Sequence, residues 1–539
     1  EMSRWRDWVI DAYNQNLPFD QFTIIQLAGD LLPNPSEADL IATAFNRNHR
    51  YNSEEGIPID EFLLENAVDR VDTTATVWMG ITVGCARCHD HKYDPFSQRE
   101  YYQLIDYFND VNESGRAIKF GNSEPWIKTP TDAQRVQLEK LGQRVVKCQS
   151  QLDSSNAEIA KSQQAWESST DFAALLPVVS HGLDHFFDFD SPEERVAYKR
   201  DTPASSNELA SSMESITSTD RFENAATVSG HDHYELGKIP GLICNARFSI
   251  AFWMSPDQID SGVVLSNEQP GTKREGIFVE FVNGHLRWNI SNRWISGVST
   301  IQTKQVFELG RWKHIVLTND GTQRARGMKI YVDGVLQPVE VIRNTNSNTS
   351  KRDHGAAMRI GHSKHVGHWK GKVDELRFYT TRTLAAEEAE LLAVADSLKT
   401  IAAIPAYQRT SLQSRLLRTA YLENTEKAKY RRLLSDLQDA VVAEANFWDS
   451  VTTTMIMEDL PEGRPSFVRT RGVYDQLGEA ANAGVPAVLT SANQPADRLA
   501  FARWLVDGKH PLTARVTVNR YWQMLFGRGL VNTPEDFGS

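Results

Sequence analysis

Two thiols and an imidazole fall within five residues at Cys85-Ala-Arg-Cys88-His89. A Cys-x-x-Cys-His run is the attachment signature of haem c. The sulfurs add to the haem vinyl groups as thioethers, and the adjacent imidazole ligates the iron. Cys85, Cys88 and His89 are therefore candidate cofactor-binding residues. His91 lies too close to His89 to reach the opposite haem face. His49, within Asn46-Arg47-Asn48-His49-Arg50, is the preferred distal ligand, with Met79 as the alternative. Two other readings stand beside haem. In one, Cys85 and Cys88 close a local disulfide in a structural turn, with His89, His91 and Asp94 as hydrogen-bonding residues. In the other, Cys85, Cys88, His89 and His91 hold zinc or another metal. No second Cys pair at zinc-ribbon spacing accompanies them. Cys148 and Cys244 read as unpaired, buried small residues.

Other residue types suggest binding. Trp288, Trp294 and Trp369 lie in or beside expected loops, where exposed rings would stack on sugars; Trp253 and Trp312 sit inside strand patterns and read as core. Hard oxygen ligands for a structural calcium would come from Asp188 or Asp190 and from Asp374, on the first and last strands of a β region. His362, His365 and His368 form a short cluster that suits either a metal or a solvated turn. The run Asn52–Glu61 reads as a helix-entry turn with a solvated face rather than a cation site. Asp374-Glu375 are adjacent on an expected strand and should point to opposite faces, which places them poorly for glycosidase work. The chain has no Gly-x-Ser-x-Gly, His-Glu-x-x-His, P-loop or dinucleotide-binding motif.

These residues sit on three kinds of element. Residues 1–125 read as helical, with Trp5, Trp8, Val9, Ala12 and Tyr13 at helical spacing. Residues 131–168 read as one long helix. Leu138, Val145, Leu152, Ile159 and Trp166 recur every seven residues, interrupted by Ser155 and Ser162. Tyr430, Leu434, Leu437, Val441 and Trp448 form a matching seam within the returning helices of 386–450, so an antiparallel coiled-coil pair is expected. Between them, residues 180–385 carry short β-branched and aromatic runs such as Phe248–Trp253 and Lys329–Val332. Turns such as Asp333-Gly334 separate these runs, as in an all-β sandwich. After 450 come a Pro/Gly-rich connection and two short helices, to 539. The fold class is thus multidomain α+β.

Bulk properties bound the partners. The net charge of -12 argues against nucleic acid as the main partner. No run of about 20 apolar residues is present, so no transmembrane helix is expected.

The stretch Gly84–Tyr102, with Val68-Asp-Arg-Val-Asp-Thr-Thr74 before it, resembles a planctomycete cytochrome-c-associated domain of surface or periplasmic proteins. Asp497–Val506, Pro511–Trp522, Phe526–Val531 and Thr533–Gly538 resemble the start of that family's C-terminal partner domain. Phe248–Trp253, Arg311–His314, Tyr331–Gly334 and Val373–Tyr379 resemble a laminin-G or concanavalin-A-like jelly roll. The resemblance implies an extracytoplasmic bacterial protein, here as a fragment, with an export signal upstream. Its expected role is that of a c-type-cytochrome-like protein with a carbohydrate- or protein-binding jelly roll. A glycan or surface protein and a redox partner are the expected partners. A non-catalytic surface scaffold, in which the Cys-x-x-Cys-His loop is structural or binds a non-haem metal, is the alternative. A carbohydrate oxidase, with its catalytic centre elsewhere, is a third reading.

Overall fold

The computed structural model describes residues 2–49, 58–113, 115, 122–189, 225–231, 233–268, 274–293, 297–344, 356–363, 365–489 and 494–537. The chain divides into two compact units. One joins Glu1–Arg135 to Ser450–Ser539, and the other is Val136–Asp449. The N- and C-terminal segments, expected as separate domains, therefore build one unit.

That unit is helical. Helix Ile59–Thr74 starts after Pro58 with Asp60 and Glu61 in its first turn, where carboxylates favour the helix dipole. It runs through a wider turn, Ala75–Met79, and stops at Gly80, whose φ of 58° is left-handed. Helix Gln98–Asn109 begins with a capping box between Ser97 and Glu100. Its buried face carries Tyr101, Leu104, Ile105 and Phe108. These pack with Leu27, Val71 and Trp78, and with Met457, Phe501 and Leu505 from the C-terminal segment. A two-stranded pairing of Trp126–Lys128 with Thr453–Met455 joins the two stretches of chain.

The second unit begins with the heptad seam. The expected single helix is two, Asp132–Ser154 and Asn156–Glu167. The break falls at Ser155, whose hydroxyl donates back to the Gln151 carbonyl, a local bond that competes with the helix ladder. The return is also two helices, Ser411–Asn424 and Ala428–Ser450. The pairing is antiparallel: Gly142 lies beside Glu444, and Lys429 pairs with Glu158 at 3.0 Å. Leu152 and Ile159 are buried with Tyr421 and Tyr430, and Leu434 and Leu437 pack against them. Val441 stays exposed, outside the seam.

Between these helices, the described residues form two seven-stranded sheets whose strand pairs are all antiparallel, a jelly-roll-like sandwich. In one, Lys313–Asp320, Arg247–Pro256, Lys370–Tyr379 and His185–Phe187 lie side by side. In the other, Gly297–Thr303, His285–Arg293, Gly276–Val282 and Ser261–Ser266 do so. Val332 pairs with Val335, so Asp333-Gly334 is the two-residue hairpin expected; both have positive φ, 50° and 79°, as a type I′ turn requires. Along Arg247–Pro256, Phe248, Ile250, Phe252 and Met254 enter the inter-sheet core. Ala251 faces the other way, into a second apolar layer with Leu384, Leu392 and Leu417. This sheet is therefore covered on both faces, which explains its unbroken burial.

Candidate functional site

In the helical unit, the Cys-x-x-Cys-His run occupies a tight 3₁₀ turn, Gly84–Arg87, closed by Cys88 N–H donating to Cys85 O at 3.4 Å. Both thiols are free and exposed. The turn is held from several sides. Arg87 O accepts from Gln98 Nε2 and Tyr102 Oη, each at 3.0 Å, and the Arg87 guanidinium pairs with Glu65. Beneath it, Asp72 Oδ1 accepts from Tyr101 Oη at 3.1 Å, and a Cβ on Gly84 would meet Asp72 Oδ2 at 3.4 Å. Burial pushes the Asp72 carboxyl up to about 6, aided by Asp69 and Glu65, against the Tyr101 hydrogen bond and Arg87.

The exposed His89 donates from Nδ1 to Asp90 O at 2.7 Å, which leaves Nε2 as its acceptor nitrogen. His91 is committed elsewhere: its Nδ1 accepts from Asp94 N at 2.9 Å. The distal expectation fails. His49 is buried, 3.1 Å from Arg70 Nη2 and 3.6 Å from Glu113 Oε2. Arg70 and Asp72 are two residues apart on one helix, so they point about 200° apart. Arg70 faces His49, and Asp72 faces the cysteine turn. The helix therefore stands between His49 and His89. Met79, the alternative, is buried in the core. Cys85, Cys88 and His89 are the residues that would hold a haem here, and neither His49 nor Met79 stands with them.

The same helix carries a charge network invisible in the sequence. Arg70 grips Glu113 with two bonds of 2.8 and 2.9 Å, and Arg47 Nη2 lies 3.7 Å away. Burial raises the Glu113 carboxyl, but Arg70, His49 and Arg47 outweigh it and hold the group well below the usual carboxylate range.

In the sandwich unit, Asp188 and Asp374 do come together. Phe187 pairs with Leu376 across antiparallel strands, and both aspartates line one cavity of about 790 Å³. Phe172, Phe186, Glu375 and Arg377 share its wall, with Leu391 and Leu392 from helix Ala386–Leu392. The strand reading of Asp374-Glu375 needs correction. The pairing with the neighbouring strand slips between Asp374 and Arg377, and Glu375 has a φ of 46°. This bulge re-aims the chain, so both residues border the same cavity rather than opposite faces. Asp374 Oδ1 accepts from Glu375 N at 2.7 Å and fixes the bulge. Arg377 bonds Glu375 Oε2 at 3.0 Å and Val178 O at 3.1 Å, and its guanidinium lies 4.9 Å from the Phe186 ring centroid. Nothing in the sequence pattern signals the bulge or Arg377.

The tryptophan expectation is also corrected. Trp288 and Trp369 are 0 % exposed and belong to the inter-sheet core. With no free face, they are not sugar platforms. Trp294 and Asp190 lie outside the described residues. In the histidine cluster, the His362 ring stacks on His233 at 4.8 Å and lies tilted against His368 at 4.6 Å, while His365 pairs with Glu268. Among the described residues, no group of three or more His, Cys, Asp or Glu is placed to hold a metal ion. No helix of the described residues is long and apolar enough to cross a membrane.

Comparison with known proteins follows this division. Residues 1–113 match a family model described as a protein of unknown function, DUF1549. Residues 228–390 match the concanavalin A-like lectin/glucanases superfamily. Residues 497–539 match a second family of unknown function, DUF1553. No curated protein matches the chain. Similar solved structures include the binding domain of botulinum neurotoxin serotype D, at 12 % identity over 41 % of this chain and 52 % of that one, TM-score 0.29. Another is the Ruminococcus gnavus IT-sialidase CBM40 bound to alpha2,3 sialyllactose, at 12 % identity over 32 % and 96 %, TM-score 0.26. A third is domain 4 of an extracellular arabinanase from Geobacillus stearothermophilus in complex with arabinotriose, at 16 % identity over 39 % and 98 %, TM-score 0.25. The chain spans about half the length of the neurotoxin domain.

Proposed function

We propose that this is an extracytoplasmic binding protein whose sandwich unit takes a neutral carbohydrate in the cavity beside Asp374 and Glu375. The cavity carries the reading. Its volume of about 790 Å³ lies within the roughly 300–1,000 Å³ of small-ligand sites. The partly exposed Glu375 carboxylate, held by Arg377, suits sugar hydroxyls as a hydrogen-bond acceptor, and Phe172 and Phe186 on the wall add apolar surface. Asp188, Asp374, Glu375 and Asp396 outnumber Arg377 and Lys399 on the wall, so a sulfated or carboxylated sugar is disfavoured. The superfamily match of residues 228–390 supports the same class of ligand. Titration calorimetry of the full chain against arabino-, xylo- and cello-oligosaccharides tests it. If no sugar binds and a surface protein does, the scaffold reading replaces it.

A second reading concerns the helical unit. Cys85, Cys88 and His89 would hold haem c, favoured by the Nδ1 bond of His89 to Asp90 O. Haem would supply one-electron chemistry. The chain's own contribution would be two thioether sulfurs on a braced turn and an oriented imidazole. Pyridine haemochrome absorption, after expression with a c-type maturation system, should show covalent haem; its absence sinks this reading and leaves the sugar reading untouched.

A further inference from the structure

We infer that Cys85 and Cys88, in chain that carries no haem, form a reversible dithiol–disulfide couple that exchanges with an external thiol or disulfide. The observation is the turn itself. In a 3₁₀ turn, residues i and i+3 eclipse, and three steps of about 2.0 Å place their Cα atoms about 6 Å apart. Bridged cysteines span roughly 4.4–6.8 Å. The bond from Cys88 N–H to Cys85 O shows that this pair closes such a turn. Side-chain rotation with a small tightening of the turn then joins the sulfurs, since bridged Cβ atoms lie about 3.5–4.5 Å apart. Gln98, Tyr102 and the Arg87–Glu65 pair hold the turn so that the two cysteines stay adjacent.

Access is built in as well. Both thiols are exposed. The residue packed over Cys88 is Gly472, with a left-handed φ of 72°; a Cβ there would come within 2.8 Å of the sulfur. The other two cysteines are the internal contrast. Cys148 and Cys244 are buried, and burial pushes the Cys244 thiol up to about 12, so it offers neither thiolate nor approach. The fold separates one exchangeable pair from two inert residues.

The chemistry balances with a disulfide of the glutathione class as oxidant. The thiolate of one cysteine attacks a sulfur of the external disulfide. That S–S bond breaks, and the departing half leaves as a thiolate that takes up a proton. The second cysteine, deprotonated, attacks the mixed disulfide and releases the other half as a thiol. Two cysteine thiols lose two electrons, and one external disulfide becomes two thiols. The inference is independent of the sugar reading. Haem attachment would consume both sulfurs, so the two states exclude each other on one molecule.

The test uses full chain that shows no Soret band, equilibrated in glutathione buffers of graded redox ratio, acid-quenched and alkylated with N-ethylmaleimide. Mass spectrometry follows, using a protease that spares Arg87. The expected result is joint loss of both labels from the single peptide holding Cys85 and Cys88 as the buffer becomes oxidising, with full recovery on reduction. Cys148 and Cys244 should form no bridge. Cys88→Ser should trap Cys85 as a mixed disulfide with glutathione. Full alkylation of both cysteines at every ratio overturns the inference. So do wild-type mixed disulfides that never resolve to a bridge.

Discussion

Buried charge is used in opposite ways in the two units. In the helical unit, charges close on one another. Arg70, Arg47 and His49 surround Glu113, and Arg498 is clasped by Asp30 at 2.9 and 2.7 Å and by Asp459 at 2.9 Å. In the sandwich unit, Asp374, Glu375 and Arg377 are fixed by local bonds yet border open space. A closed network has little left to offer a ligand, so its work is architectural. Asp374 and Arg377 are buried supports, and Glu375, 35 % exposed, is the member preorganised to meet a ligand. Removing a member should therefore cost stability in the first unit and affinity in the second.

The largest effect should come from Arg70→Ala. It leaves Glu113 buried with its main partner gone, and such losses cost about 3–5 kcal/mol. Urea unfolding should register it. Because the folded Glu113 carboxyl is held low, its stabilisation is complete above the unfolded carboxylate range and fades as pH falls below it. Arg70→Ala should bring that acid loss to higher pH. Stability equal to wild type would show that the network is not structural.

Next comes Leu152→Ala in the helix pair, expected to cost about 2–4 kcal/mol through a lost contact and a cavity. Its cluster is separate from the inter-sheet core, so near-ultraviolet dichroism of the sandwich should persist after the helix pair loosens. Joint loss of both signals would merge what the contrast separates.

Asp72 sharpens the comparison from within the helical unit. It is half-buried, its nearby cation Arg87 is paired with Glu65, and its folded carboxyl is pushed up to about 6. The folded state then binds the proton more tightly than the unfolded chain. Stability falls as pH rises from about 4 to about 6, the reverse of Glu113. Asp72→Asn keeps an acceptor for Tyr101 and should stabilise the unit at pH 7 by on the order of 1–3 kcal/mol. It should also flatten stability between those pH values. Destabilisation at pH 7 would mean that the charge, rather than the acceptor, is needed.

What the sequence showed was whatever is local. The Asp333-Gly334 hairpin, the Cys85–Cys88 turn and the helix seam each depend on residues a few positions apart. Trp288 and Trp369 were misplaced because their exposure depends on the opposing sheet rather than on their own strands. His49 failed as a ligand because only the fold reveals which side of helix Ile59–Thr74 it occupies. Asp188 and Asp374 line one cavity because strands His185–Phe187 and Lys370–Tyr379 are neighbours. The cavity was missed because the bulge at Glu375 breaks the alternation on which strand reading depends.

The smallest stability effect should come from Glu375→Gln, about 1 kcal/mol or less, since Arg377 keeps its bond to Val178 O. That makes it the direct test of the central claim. Calorimetric titration of the full chain with the tightest-binding neutral oligosaccharide should show affinity weakened at least about tenfold in Glu375→Gln, as expected for loss of a charge-assisted hydrogen bond. The melting temperature should fall by no more than about 4 °C. Equal affinity in the two proteins would place any carbohydrate site away from this cavity and contradict the account.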